Sequence, residues 1–300
     1  MTALRGCGTA LVTPFTATGA VDEPALSGLV EWQIESGIDF LVACGSTGEA
    51  ATLTVDERQR VVSLVVRTAA GRVPIVAGAT ASATAEAVAE ARRMSALDIS
   101  GLLVSSPPYN RPTAEGLIRH FEAIADAVTV PVCLYNVPGR SGVNLKPETV
   151  LRLARHGNIT GIKESSGDLS QVQHLLLGRP DGFAVLCGED WLTLAVMAAG
   201  GDGLISVASN EIPAEMTALV AAAGSGRFDE ARHIFFAILP LLEANFLETN
   251  PAPVKAALAA MGRIGDGVRL PLVPLTDSKR GALHAALRAA GVTLITAEAG

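Results

Sequence analysis

The sequence predicts an α/β protein that folds as a (β/α)8 TIM barrel with a C-terminal helical extension. Eight short and nearly continuous apolar segments recur along the 300-residue chain, which is typical of strands buried on both faces. Helical segments alternate strictly with them. This alternation requires parallel strands, because each crossover returns the chain to the same end of the sheet. Eight such units can close a barrel, and one domain of this kind commonly holds about 250 residues.

The eight predicted strands follow one another along the first two thirds of the chain. In order they read GTALVTPF, IDFLVACG, VPIVAGA, GLLVSSP, PVCLYN, ITGIKES, FAVLCGE and GLISVAS. The predicted helices between them cover residues 24–36, 54–70, 82–96, 113–128, 147–156, 168–178 and 190–199, and further helices follow from residue 213. The helix start at Thr54 is the best defined, because Thr54 and Glu57 form the pattern of a capping box. We therefore expect a catalytic barrel in residues 1–220 and packed helices in residues 221–300.

An open, doubly wound sheet is the structural alternative to a barrel. Such a sheet normally carries a glycine-rich nucleotide-binding turn after its first strand, and TPFTATG at residues 13–19 is not one. The segment GSTGEA at residues 45–50 also lacks the lysine of a phosphate-binding loop. The sequence therefore favours the closed barrel.

Composition and charge argue against several classes of partner. The chain is 49% hydrophobic and 18% charged, with a mean hydropathy of +0.38, as expected of a folded protein with a large core. Its net charge is −7 and its basic residues are not clustered, so neither nucleic acid nor an anionic membrane is expected as a partner. Because no apolar run reaches about 18 residues and no signal-peptide cleavage pattern follows the N-terminus, we expect a cytoplasmic protein.

The cysteines and histidines lack the spacing of metal or redox sites. The cysteines are Cys7, Cys44, Cys133 and Cys187, and the histidines are His120, His156, His174, His233 and His284. No C-x-x-C and no H-x-x-x-H pattern occurs among them. We expect reduced thiols in the core and no bound metal.

Unusual polar residues fall at the carboxyl ends of the predicted strands. In barrels of this kind the chemistry lies at that end, where side chains from different strands converge on one mouth. The residues found there are Ser46, Thr47, Tyr109, Tyr135, Arg140 and Lys163. Glu49, Asn110, Glu164 and Asp168 lie at the same end, so this rule selects a region and does not assign roles.

Lys163 stands at the end of an apolar strand, where the pattern would otherwise continue into the core. One interpretation is structural: the lysine extends its ammonium group out of the barrel mouth or pairs with a carboxylate. The other is an amine nucleophile that forms a Schiff base with a carbonyl substrate. The iminium then withdraws electrons from the adjacent carbon, which is why enzymes use lysine in this way.

The chain has two tyrosines, Tyr109 and Tyr135, and both fall at the predicted mouth. Each could be a packed ring with a satisfied hydroxyl. Schiff-base chemistry, however, must move protons onto and off a carbinolamine oxygen, and a phenol positioned by a hydroxyl such as that of Thr47 can do this. Their shared location favours the proton-transfer role.

The segment CGSTGEA could be only a tight turn, or it could hold an anion through its backbone amides and the hydroxyls of Ser46 and Thr47. With a lysine nucleophile opposite, the natural ligand is a 2-oxo acid whose carboxylate meets this loop. Arg140 could be a surface charge, or it could grip a second carboxylate in a bidentate manner.

Six ordered motifs in this chain resemble those of the lysine-dependent class I aldolase family that contains dihydrodipicolinate synthase and N-acetylneuraminate lyase. They are GSTGEAATLTVDER, SSPPYNRPTAEGL, YNVPGRSG, GIKESSGD, GGDGLISVASN and NPAPVKAAL. The likeness runs from about residue 5 to residue 290. It implies that Lys163 forms an imine with pyruvate and that Tyr135, Thr47 and Tyr109 relay protons, with Tyr109 reaching in from a neighbouring subunit.

Within that family the resemblance points to the synthases. Arg140 is similar to the arginine that holds the carboxylate of L-aspartate 4-semialdehyde in that group, which gives pyruvate and the semialdehyde as substrates in the lysine and diaminopimelate pathway. Ser46 departs from the threonine common in synthases but keeps the hydroxyl. Gly188 and Ile205 match backbone-contact positions around pyruvate. The resemblance further implies no cofactor and a homotetramer built as a dimer of dimers.

Other functions remain open at this point. One is a 2-oxo-3-deoxy sugar-acid aldolase or N-acetylneuraminate lyase, which would share the Schiff base. Another, of a different class, is a non-catalytic barrel that senses pyruvate. The resemblance also implies weak inhibition by L-lysine. The positions that bind lysine in sensitive relatives correspond here to Val55, Arg58, Ser82, Glu86 and Pro108, and only Glu86 keeps the expected chemistry.

Overall fold

The computed structural model describes residues 4–295, and eight parallel strands within them close a barrel. The strands are β1 Gly6–Ala10, β2 Phe40–Ala43, β3 Ile75–Gly78, β4 Gly101–Ser105, β5 Val132–Asn136, β6 Ile159–Glu164, β7 Ala184–Cys187 and β8 Gly203–Ser206. Each strand pairs with its neighbours in chain order, and β8 pairs with β1 to complete the ring. The predicted fold class is confirmed.

Twelve α-helices surround and extend this barrel within the described residues. They are α1 Glu23–Glu35, α2 Val55–Ala69, α3 Thr84–Ser95, α4 Ala114–Asp126, α5 Pro138–Ser141, α6 Pro147–Leu153, α7 Leu169–Gly178, α8 Thr193–Ala198, α9 Pro213–Gly224, α10 Phe228–Ala244, α11 Ala252–Ala260 and α12 Asp277–Ala289. The short helix α5 lies in a segment for which the sequence predicted no helix. In the part of the chain that the structure describes, no helix is long and apolar enough to cross a membrane.

The start of α2 confirms the predicted capping box. Thr54 Oγ1 accepts from the Glu57 backbone N–H, and the Glu57 carboxylate accepts from the Thr54 N–H at 2.9 Å. The proposed division of the chain at residue 220 remains a prediction, and residue 220 itself lies inside α9.

The barrel interior is a cluster of side chains separate from the layer between strands and helices. Its buried members are Ala10, Phe40, Val42, Val76, Leu103, Cys133, Tyr135, Val137, Ala184, Leu186 and Ile205. Gly8 makes room for the largest of them, because a Cβ at this glycine would lie 2.1 Å from a carbon of the Phe40 ring. The interior is therefore packed with side chains, which confines any site to the mouth of the barrel.

The pairing of β5 with β6 sets the position of two mouth residues. The register shifts between Val132 and Cys133, after which Tyr135 lies directly opposite Lys163. Residues directly opposite each other in a sheet point to the same face. Both side chains therefore enter the barrel together.

A buried ion pair joins α11 to the loop that follows β2. Lys255 Nζ lies 2.6 Å from Glu49 Oε1, and both side chains are fully buried. The second oxygen of Glu49 accepts from the Arg269 backbone N–H at 3.0 Å. Burial lowers the pKa of Lys255, and the charge of Glu49 opposes that change. The pair connects residues that are 206 positions apart in the chain.

Removing one partner of this pair should destabilise the fold. We expect Lys255→Met to lower the free energy of unfolding by about 3–5 kcal/mol, because Glu49 would be left buried without its cation. Adding Glu49→Gln should recover part of the loss. Denaturant midpoints would measure both effects, with the exposed Arg119→Ala as a control that leaves the midpoint nearly unchanged. A midpoint for Lys255→Met equal to that of the control would contradict this expectation.

Candidate active site

A cavity of about 50 Å³ opens at the carboxyl ends of the strands. Six residues predicted for the site line it: Ser46, Thr47, Tyr135, Arg140, Lys163 and Gly188. It adjoins a second cavity of about 400 Å³, with which it shares Ser46, Tyr135 and Arg140. The structure thus brings together residues from the ends of β2, β5, β6 and β7.

Lys163 is buried in this cavity, with 4% of its surface exposed. Its Nζ lies 4.6 Å from the centre of the Tyr135 ring, a distance at which the ring face attracts a cation. Among the ion pairs of residues 4–295 there is none that involves this amine. Neither structural interpretation of Lys163 fits this position, because the amine reaches neither open solvent nor a carboxylate.

The Lys163 side chain passes so close to position 188 that only glycine fits there. A Cβ at Gly188 would lie 2.8 Å from Lys163 Cε and 1.9 Å from Ser165 Oγ. Contacts this short are not found in folded proteins, so a larger residue would displace the lysine. The glycine at the end of β7 therefore leaves room for the amine.

The loop after β2 is held in an uncommon backbone conformation. Cys44 and Glu49 have φ values of 54° and 53°, in the left-handed region that residues other than glycine rarely adopt. Between them, the Gly48 N–H bonds to the Gly45 oxygen and the Glu49 N–H to the Ser46 oxygen. Such strain persists only where the surroundings hold it, and here the ion pair with Lys255 does so.

Asn250 connects this loop with Arg140. Asn250 Nδ2 donates to Thr47 Oγ1 at 3.0 Å. Arg140 Nη2 donates to the backbone oxygen of Asn250 at 3.1 Å. Thr47 is 3% exposed. A hydroxyl that accepts from an amide keeps its own proton for another acceptor. The Thr47 hydroxyl therefore keeps its own proton available for donation.

Two predicted residues do not line the cavity. Tyr109 is 92% exposed and has a φ of 76°, so within residues 4–295 its ring is left without cover. Ile205 is fully buried in the barrel interior, in the same cluster as Tyr135. The chain alone therefore places the Tyr109 hydroxyl outside the pocket.

Two other acidic residues at the mouth have structural contacts. Glu164 accepts from Asn136, Gln171 and the Ser166 backbone N–H, the last at 2.6 Å. Asp168 caps the start of α7. These contacts account for both carboxylates without a catalytic role.

Two polar side chains that line the cavity, those of Asn250 and Glu189, were not predicted for the site from the sequence. Asn250 belongs to the motif NPAPVKAAL, but its partner Thr47 is 203 positions away. Glu189 directly follows Gly188 at the end of β7, so the strand-end rule was sufficient to find it. Within residues 4–295, no group of three or more His, Cys, Asp or Glu side chains is arranged to hold a metal ion.

Comparisons with known proteins identify relatives along nearly the whole chain. The model of the dihydrodipicolinate synthetase family matches residues 3–290. A protein of Koribacter versatilis named 4-hydroxy-tetrahydrodipicolinate synthase is 52% identical over 290 residues, which cover 96% of this chain and 97% of its own. One of the same name from Acidobacterium capsulatum is 53% identical over 283 residues, covering 94% of each chain.

Solved structures give the same family. The chloride-inhibited dihydrodipicolinate synthase of Acinetobacter baumannii, complexed with pyruvate, aligns with a TM-score of 0.95 at 42% identity, covering 96% of this chain and 99% of that one. A monomeric dihydrodipicolinate synthase variant aligns with a TM-score of 0.95 at 39% identity, covering 97% and 98%. On the family model and these identities together, the chain belongs to the dihydrodipicolinate synthetase family.

Proposed function

We propose that this protein condenses pyruvate with L-aspartate 4-semialdehyde through a Schiff base on Lys163. The observation that carries the proposal is the buried amine of Lys163, which lies opposite Tyr135 and has no carboxylate partner within the described residues. The names of the relatives support it, and so does the pyruvate complex of the Acinetobacter baumannii neighbour.

The first stage forms the imine. Lys163 Nζ attacks the keto carbon of pyruvate, and the resulting carbinolamine loses its hydroxyl as water to leave an iminium. Tyr135 donates the proton that this oxygen needs, because its ring lies directly beside the amine. Thr47 orients the phenol, and the Tyr109 hydroxyl completes the relay from a neighbouring subunit.

The loop after β2 holds the pyruvate carboxylate. Ser46 and Thr47 line the same cavity as Lys163, which supports a carboxylate site formed by their hydroxyls. Gly188 borders the same substrate through its backbone groups. The backbone contact expected of Ile205, which lies in the packed barrel interior, remains a prediction. This arrangement fixes the keto carbon towards the amine, and positioning of this kind accounts for a large part of many rate enhancements.

The second stage forms the carbon–carbon bond and releases the enzyme. Loss of a methyl proton turns the iminium into an enamine, whose carbon attacks the aldehyde carbon of the semialdehyde while the aldehyde oxygen takes up a proton. The substrate's ammonium group then gives up a proton, and the resulting amine attacks the regenerated iminium carbon and expels Lys163 as the free amine, which closes the ring. Arg140 binds the semialdehyde carboxylate with the guanidinium N–H groups that Asn250 does not occupy.

The assembly and surroundings belong to the same proposal. We infer a cytoplasmic homotetramer, a dimer of dimers, that needs no cofactor and does not act on nucleic acid or membranes. The exposed ring of Tyr109 supports a shared site, because a residue of the relay would otherwise stand in solvent. Weak inhibition by L-lysine remains a prediction. Arg58, one of the five compared positions, is already paired with Glu90 at 2.6 Å.

Trapping with borohydride tests the nucleophile. With pyruvate present, the reductant should fix an adduct on Lys163, since the proposed imine is the only reducible link between enzyme and substrate. Lys163→Ala should give neither adduct nor turnover, whereas the exposed Lys146→Ala should keep both. Peptide mapping by mass spectrometry locates the adduct. An adduct on another lysine, or normal turnover by Lys163→Ala, would refute the Schiff base, and an adduct without any turnover would leave a pyruvate sensor.

Replacing Arg140 tests the second substrate. Arg140→Ala should lower kcat/KM for the semialdehyde by roughly tenfold to a hundredfold, because a charged hydrogen bond contributes about 1.5–3 kcal/mol. Pyruvate trapping should not change. Steady-state kinetics with both substrates, and with a panel of 2-oxo-3-deoxy sugar acids, distinguish the outcomes. An equal loss in trapping and turnover would remove Arg140 from its role, and cleavage of a sugar acid in preference would favour the aldolase alternative.

Mixing two inactive variants tests the shared site. Tyr109→Phe and Lys163→Ala should each have little activity, and hybrids of the two should regain some. Each mixed pair contains one site in which both residues are intact. Subunit exchange would be followed by native mass spectrometry. Exchange without recovery of activity would show that Tyr109 does not act on the adjacent subunit.

A further inference from the structure

Glu189 is an acidic side chain in the cavity that the steps above do not use. It follows Gly188 at the end of β7 and lines the same cavity as Lys163 and Arg140. Its backbone oxygen accepts from the Leu192 N–H. Within the described part of the chain its carboxyl has charged neighbours but no hydrogen-bonding partner.

The neighbouring acids differ from Glu189 in this respect. Asp190 Oδ2 accepts from the Val207 and Ala208 backbone N–H groups at 3.0 and 2.8 Å, whereas its Oδ1 is buried without a hydrogen-bond partner in the described residues. Asp190 does not line the cavity. Glu164 is occupied by the amides behind β6. Because Glu189 is half-buried and lines the cavity, a donor group of a bound ligand can take the place of solvent at its carboxyl group.

Burial and the neighbouring acids disfavour the ionised form of Glu189. Burial raises the pKa of Glu189 to about 7, and the negative charges of Asp190 and Glu164 act in the same direction. Lys163 and Arg140 lower that pKa but do not offset the burial. Tyr135 is the remaining titratable group on the cavity wall. A cationic ligand group placed here would therefore gain from the carboxylate.

The proposed second substrate brings such a group. This step rests on the proposed function: the semialdehyde carries one carboxylate and, on the same carbon, one ammonium. Once the carboxylate is bound by Arg140, the ammonium lies within the same small cavity, and Glu189 is the carboxylate there without a partner. We propose that Glu189 binds this α-ammonium group and so selects the amino-acid aldehyde over aldehydes that lack an amino group.

A purely structural role for Glu189 makes a different prediction. If the carboxylate only kept Lys163 or Arg140 in place, its loss would affect every aldehyde alike. Ammonium recognition instead affects only substrates that carry the ammonium. Succinate semialdehyde has the same carbon chain and carboxylate without the amino group, which makes it a matched probe.

The test uses Glu189→Gln, which keeps the size of the side chain and removes its charge. In this variant kcat/KM for aspartate semialdehyde should fall roughly tenfold to a hundredfold, the effect of losing a charged hydrogen bond. The inhibition constant of succinate semialdehyde and borohydride trapping of pyruvate should stay unchanged. Glu215→Gln, an exposed residue of α9, serves as the matched control and should behave as wild type.

The dependence on pH gives a second readout. As the pH falls through about 7, Glu189 becomes neutral, and the wild-type preference for aspartate semialdehyde over succinate semialdehyde should decrease. The ammonium stays charged throughout this range, and Glu189→Gln should show a weak preference that does not vary with pH.

Three results would overturn the proposal. The first is an unchanged kcat/KM for aspartate semialdehyde in Glu189→Gln. The second is a fall in that kcat/KM matched by an equal rise in the inhibition constant of succinate semialdehyde. The third is a wild-type preference that does not vary with pH. If the wild-type protein traps pyruvate but does not use aspartate semialdehyde, the proposed function itself fails and this inference with it.

Discussion

The ion pair between Lys255 and Glu49 is the contact on which the geometry of the candidate site depends. Glu49 ends the loop that carries Ser46 and Thr47, and its left-handed backbone conformation needs support from elsewhere in the fold. That support comes from Lys255 of α11, whose side chain is fully buried and which lies 206 positions away in sequence. Burial makes such a pair expensive to form, so its main effect is to specify one arrangement of the loop rather than to add stability. Asn250 lies just before α11 and bonds to Thr47, so the same segment orients the hydroxyl as well.

The proposed reacting groups are held differently from the proposed binding groups. Lys163 and Tyr135 are on adjacent strands, and the register of β5 with β6 places them opposite each other in a rigid sheet. Gly188 on the next strand leaves the space that the amine occupies. Thr47 is in a loop and Arg140 is in the short helix α5, and hydrogen bonds through Asn250 join them. This division puts the nucleophile on the most rigid part of the fold, where small errors of position would be most damaging to catalysis.

The sequence predicted the barrel, and it selected the proposed nucleophile, because both inferences depend on local patterns. Apolar periodicity is enough to identify parallel strands, and the strand-end rule then selects Lys163 and Tyr135. The roles of Asn250 and Lys255 could not be read in this way, since their partners lie about 200 positions away and no periodicity connects them. The same rule over-selected Glu164 and Asp168, because a strand end does not distinguish a reactive carboxylate from one that fixes a turn or caps a helix. Tyr109 shows a further limit, because its position in a single chain does not reveal what covers it in an assembly.

The most direct test of this account is a crystal structure of the protein soaked with pyruvate. The account predicts continuous electron density between Lys163 Nζ and the keto carbon, with the carboxylate against Ser46 and Thr47 and the Tyr135 hydroxyl beside the new bond. Pyruvate bound without a covalent link, or with its carboxylate turned away from the loop after β2, would contradict the assignment of the nucleophile and of the anion site.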